Sequence, residues 1–173
     1  MSDETAPIGA GAPDEEPQAV EEAEVVQETG RAASDAGAPN VVMSVESVTY
    51  DLGEASPIVR LSEAEAPFRS LEMPLALPEA IALQAALENR SGRRPSTHEL
   101  FATVLGELRA EVVAARIARV ENGVFFGELV LMTPRGRSVV DCRVSDALVL
   151  ALRQPVVAPV LCDAEVLERF ERR

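Results

Sequence analysis

The sequence contains no lysine and no tryptophan, one histidine, one tyrosine and two cysteines. Each scarcity narrows what the chain can do. One histidine cannot build a multi-histidine zinc site, and neither a CxxC pair nor an HExxH motif occurs. The GxxxxGK[ST] phosphate loop is absent as well. Cys142 and Cys162 lie in apolar, strand-like stretches and read as free buried thiols. No run of about 18 apolar residues occurs, so no membrane span is expected. The N-terminus is acidic and lacks the apolar core of a signal peptide. A cytoplasmic protein is the expectation.

What is abundant is acid. Asp and Glu total 29 against 16 bases, every base is arginine, and the formal net charge is −13. Residues 1–40 hold ten acids against Arg31, with few large apolar side chains and no aromatic ones. Such a stretch buries too little surface to offset its ordering entropy. It reads as a disordered acidic tail, or as an interaction tail masking the domain's arginines, ahead of one domain over 41–173. The acidic balance argues against a broad nucleic-acid footprint but permits a local arginine patch.

The order of elements predicts an α+β fold: a mostly antiparallel sheet meander with two central helices and short C-terminal helices. Strands are expected over 41–51, 58–61 and 68–77, the last placed at an edge by Pro74. Pro78-Glu79-Ala80 opens a helix that stops near Asn89. A second helix runs over 97–110, capped by Ser96 with Glu99 or by Thr97, and Leu100, Phe101, Val104, Leu105 and Leu108 form its expected buried face. Asn122-Gly123 and Pro134-Arg135-Gly136 punctuate a meander over 111–144. Ser145-Asp146 caps a helix to Arg153, a strand over 156–161 is interrupted by Pro159, and Asp163 caps a last helix to Phe170.

Chemistry concentrates in two segments. In residues 93–100, Arg93 and Arg94 precede His98, which falls in the first turn of a helix. Neutral imidazole there can accept a proton or bind a metal, and arginines beside a helix N-terminus suit a phosphate. The bland alternative is a helix-start histidine bonded to a loop. In residues 141–146, Asp141 and Arg143 share strand parity and Asp146 starts the next helix. That cluster can position water, a metal or a phosphate, or it is a solvated ion pair with a cap. Glu79, Glu99 and Asp146 each lie near a helix start, which dipole compensation alone explains. A Mg²⁺ or other divalent site drawn from Glu79, Glu99, Asp141 or Asp146 stays open.

These segments resemble the bifunctional nuclease domain family. The family's Arg-Pro-x-Thr-His-Asp-Leu segment stands here as Arg94-Pro95-Ser96-Thr97-His98-Glu99-Leu100. Its Gly-Thr-Phe-Tyr-Ala-type strand looks like Gly123-Val124-Phe125-Phe126-Gly127. Its Asp-Ala-Arg-Pro-Ser-Asp-Ala run looks like Asp141-Cys142-Arg143-Val144-Ser145-Asp146-Ala147, and Glu79-Ala80 resembles the start of its first helix. The family's Pro-Ile-Trp-Ile-Gly strand end is replaced by Glu72-Met73-Pro74-Leu75-Ala76. The resemblance implies hydrolysis of phosphodiester bonds in DNA or RNA. His98, Glu99, Asp141 and Asp146 would be catalytic, Arg94, Arg143 and Ser145 would bind phosphate, and Glu79 would ligate a metal. A homo-oligomer is a further expectation. The competing reading is a catalytically inactive member acting as a regulatory or protein-interaction module.

Overall fold

The computed structural model describes residues 39–50 and 56–171. The expected tail over 1–40 falls outside this range except for Pro39 and Asn40. Seven strands form one sheet: β1 (Asn40–Thr49), β2 (Ile58–Glu63), β3 (Ser70–Pro74), β4 (Glu111–Glu121), β5 (Val124–Thr133), β6 (Gly136–Arg143) and β7 (Val160–Asp163). Four helices accompany them: α1 (Leu77–Leu87), α2 (Thr97–Glu107), α3 (Val144–Leu152) and α4 (Ala164–Glu171). The spatial order is β3-β2-β1-β7-β4-β5-β6. Every pairing is antiparallel except β4 with β7. The α+β class and the meander are as the sequence implies, and β3, with its Pro74, is an edge strand.

The last strand starts later than its apolar run suggests. Pro159 has no N–H to give a ladder, so regular pairing begins at Val160, while the Pro159 carbonyl still accepts from Ala115 N–H at 3.0 Å. This short strand slots between β1 and β4 and joins the two halves of the sheet.

The core centres on α3. Val144, Ser145, Ala147, Leu148, Val149, Leu150 and Ala151 are all buried, so the helix is covered on nearly every side. It lies on β4 and β5 and beneath α1 and α2. Its N-cap is Arg143 rather than Ser145-Asp146, because the strand β6 runs straight into the helix. Gly127 explains how α3 comes so near the sheet. A Cβ on Gly127 would stand 2.8 Å from both Cα and N of Val144, the first residue of α3.

Helix α2 departs most from expectation. Ser96 is the cap, its Oγ accepting from Glu99 N–H at 3.3 Å while Glu99 accepts from Ser96 N–H at 2.7 Å. The helix ends at Glu107, not 110: Arg109 adopts φ 55° and Ala110 N–H returns to the Leu105 carbonyl at 2.8 Å. Only Leu105 of the five apolar residues is buried; Leu100, Phe101, Val104 and Leu108 are exposed. The reason is positional. The helix rests chiefly on α3, and among the described residues its outer arc stays exposed.

Two glycines give opposite expectations for one substitution. Gly127→Ala forces β5 and α3 apart and should cost about 1–3 kcal/mol. Gly106→Ala on α2, where a new Cβ meets nothing within 4 Å, should add roughly 0.5–1 kcal/mol. Urea unfolding of both variants measures the pair. Equal signs would contradict the packing described.

Candidate active site

Three helices begin at one place. Glu79 lies in the first turn of α1, His98 in the first turn of α2 and Asp146 in the first turn of α3. Arg143, the N-cap of α3, ties them together. Its Nε donates to Asp146 Oδ2 at 2.8 Å and its Nη2 to Asp146 Oδ1 at 3.0 Å, a two-pronged fork. Its Nη1 donates to Glu79 Oε1 at 2.8 Å. The other Glu79 oxygen accepts from Ala76 N–H at 3.0 Å, which closes the α1 start. His98 Nε2 stands 3.1 Å from Asp146 Oδ1.

Charge states follow from these contacts. Burial pushes the Asp146 carboxyl up, but the hydrogen bonds from Arg143 and His98 outweigh it, and the net displacement is downward. Asp146 is therefore an ionised acceptor at neutral pH. An acceptor-only carboxylate requires His98 Nε2 to donate, so in neutral imidazole the lone pair sits on Nδ1. Arg143 is held still more firmly protonated, first by its hydrogen bond to Asp146. Three of its five N–H groups are engaged with carboxylates, leaving one on each Nη.

The remaining sequence candidates lie elsewhere. Glu99 caps its own helix and faces Arg153, whose Nη1 is 3.6 Å away. The Ser91 hydroxyl, then the backbone and hydroxyl of Ser96, hold the Glu99 carboxyl at about 2. It is an anion with no proton to exchange near neutrality. Asp141 is paired in register with Glu128, which is paired with Arg116, and it is largely exposed 3.9 Å from Arg119. Cys142 takes the opposite parity and pairs with Gly127 under α3. Ser145 is buried, so its hydroxyl does not line an open surface. Arg93 and Arg94 are exposed, just ahead of α2, with no acid partner among the described residues.

Arg153 has a role that local pattern did not signal. Its side chain is 9% exposed, donates through Nη2 to the Arg90 carbonyl at 2.5 Å, and borders an open cleft of about 780 Å³ with Glu99, Thr103, Gly106, Arg109 and Gln154. Its partners are 63 and 54 residues away along the chain, beyond any helical or strand periodicity.

A divalent metal would share its donors here with existing hydrogen bonds. Both oxygens of Glu79 and both of Asp146 already accept from N–H groups. Among the described residues no three His, Cys, Asp or Glu side chains converge on a common point. The thiols are not candidates for nucleophilic work either. Burial, with Asp146, Asp141 and Glu128 nearby, pushes Cys142 up to about 11, and burial with Asp163 pushes Cys162 to about 12.

The depressed Asp146 carboxyl gives a pH signature. Its ionised form is favoured by folding, so its contribution is complete above the ordinary Asp range near 4 and is lost as pH falls through the lower folded value. Asp146→Asn should cost roughly 1–3 kcal/mol at neutral pH and should flatten the fall of stability below about pH 4. Urea unfolding at stepped acidic pH reads both, and an unchanged acid slope would contradict the assignment.

Comparison with known proteins identifies a family. A search of curated proteins gives no match. The family model described as the bifunctional nuclease domain matches residues 59–172, a span that contains α1, α2, α3 and every residue of the Arg143 cluster. The chain belongs to the bifunctional nuclease domain family.

Proposed function

We propose that the chain hydrolyses phosphodiester bonds of DNA or RNA at the cluster of Glu79, His98, Arg143 and Asp146. The observation that carries this reading is the meeting of three helix N-termini around one guanidinium. Each helix start is the positive end of a dipole and favours an anion. Two carboxylates already neutralise part of that field, and the exposed Arg93 and Arg94 restore positive charge beside it.

The phosphate would sit against the two free N–H groups of Arg143, with Arg94 on its other oxygens. His98 Nδ1 would take a proton from water as the water oxygen attacks phosphorus. The P–O ester bond then breaks, and the leaving oxygen takes a proton from solvent. Asp146 positions His98 and stabilises the imidazolium that forms. Glu99 and Ser145 serve the frame in this scheme: one caps α2, the other packs within α3. Asp141 stands apart on the outer charge row. Glu79 and Asp146 are the acids that would hold a divalent metal, in competition with Arg143 and the Ala76 N–H.

A second reading has its own observation. The two acids of the cluster, Glu79 and Asp146, are both paired with Arg143, as in a clasp that joins α1, α2 and α3. A family member of that kind would be a protein-interaction module.

The test is cleavage of single-stranded DNA and RNA by the purified full chain, compared with His98→Ala and Asp146→Asn prepared identically. A general base of this kind contributes about 10²–10⁴ in rate. The nuclease reading expects a loss of that order for His98→Ala. Activity that survives in both variants would come from elsewhere and would favour the clasp.

A further inference from the structure

The open cleft of about 780 Å³ that Arg153 borders lies beside the start of α2, as the Arg143 cluster does. His98 and Glu99 are consecutive, and one helical step of about 100° turns Glu99 from the cluster toward the cleft. The lining is of two kinds. Ala102 on α2, with Pro155 and Val156 after α3, offers apolar surface. The charged part is balanced: Arg109 and Arg153 stand with Glu99 and Glu111.

Arg153 is the buried part of this lining. Its side chain is 9% exposed, and Nη2 donates to the Arg90 carbonyl. Glu99 stands 3.6 Å from Nη1, an ion pair longer than a hydrogen bond. Nε is buried and has no acceptor among the described residues. A buried donor in that state carries an uncompensated desolvation cost, and native chains leave few of them. Arg109 and Glu111 are exposed, and neither has an ion-pair partner among the described residues.

A ligand suited to such a cleft has flat apolar faces and an edge carrying both acceptors and donors. A bare phosphate fits poorly, because it would meet the carboxylates of Glu99 and Glu111. A nucleobase fits better, and guanine most fully. Its O6 and N7 accept from a guanidinium as a pair, while N1–H and the N2 amino group suit a carboxylate. Adenine has no hydrogen at N1 and would turn a lone pair toward that carboxylate.

We propose that this cleft binds a guanine base, with the arginines on its acceptor edge and Glu111 on its donor edge. In a strand cut at the Arg143 cluster, the cleft would read a base near the scissile phosphate. That role rests on the nuclease reading; the binding itself does not.

Calorimetric titration of the full chain with guanosine 5′-monophosphate, adenosine 5′-monophosphate and ribose 5-phosphate tests the proposal. The guanosine nucleotide should bind about tenfold tighter than the adenosine one, and ribose 5-phosphate should bind more weakly than either. Gly106→Leu places a side chain in the cleft without a clash, since a Cβ there meets nothing within 4 Å, and should abolish binding. Glu111→Gln, on the exposed start of β4, should erase the preference for guanosine over adenosine. Circular dichroism checks that both variants keep the fold. No cleavage is read, so a chain that binds the guanosine nucleotide yet cuts nothing would sink the nuclease reading alone. Equal binding of the two nucleotides, ribose 5-phosphate binding as tightly as guanosine 5′-monophosphate, no binding at millimolar nucleotide, or a folded Gly106→Leu that binds like the wild type would each overturn the proposal.

Discussion

The guanidinium of Arg143 is the contact on which the arrangement of helices depends. It grips Asp146 of its own helix with two N–H groups and Glu79 of α1 with a third. Through Asp146 it also sets His98 of α2. The side chain is exposed, so each ion pair alone would contribute little in water. Their joint effect is geometric: three helix starts are brought to one point. That convergence depends in turn on α3 lying close to β5. The missing side chain of Gly127 permits it, since any Cβ there would collide with the backbone of Val144.

Much of this arrangement was legible in residue order. The rival caps Ser96 and Thr97 placed the start of α2 to within one residue, and Asn122-Gly123 marked the turn between β4 and β5, with both residues at positive φ. Such signals work because they are local: a cap or a primed turn is made by neighbours in the chain. Pairing the His98 segment with the Asp141–Asp146 segment came from family resemblance. The 48-residue separation of His98 and Asp146 leaves no periodic trace.

Other features depend on context beyond their own segment. Parity placed Asp141 and Arg143 on one face, but Arg143 is also the cap of α3 and its long side chain reaches back over that helix. Glu99 followed a motif into the candidate site, yet one helical step of about 100° carries it from the His98 side to the cleft. The apolar residues of α2 followed the rule for a buried face, and the rule holds only if something covers that face. Apolar periodicity marks a face that seeks cover and is silent about whether the cover lies in the same chain. Arg153 was unreadable for the opposite reason, because its contacts with Glu99 and the Arg90 carbonyl arise only once α3 is in place.

The most direct test of the central geometry uses the fact that the chain has one histidine. In a long-range ¹H–¹⁵N spectrum above the titration of the imidazole, all ring signals belong to His98. If Asp146 holds the ring through Nε2, that nitrogen carries the proton and Nδ1 shows the shift of an unprotonated ring nitrogen, and Asp146→Asn should weaken that preference. A spectrum with the proton on Nδ1 would place the free lone pair against Asp146 and contradict the account.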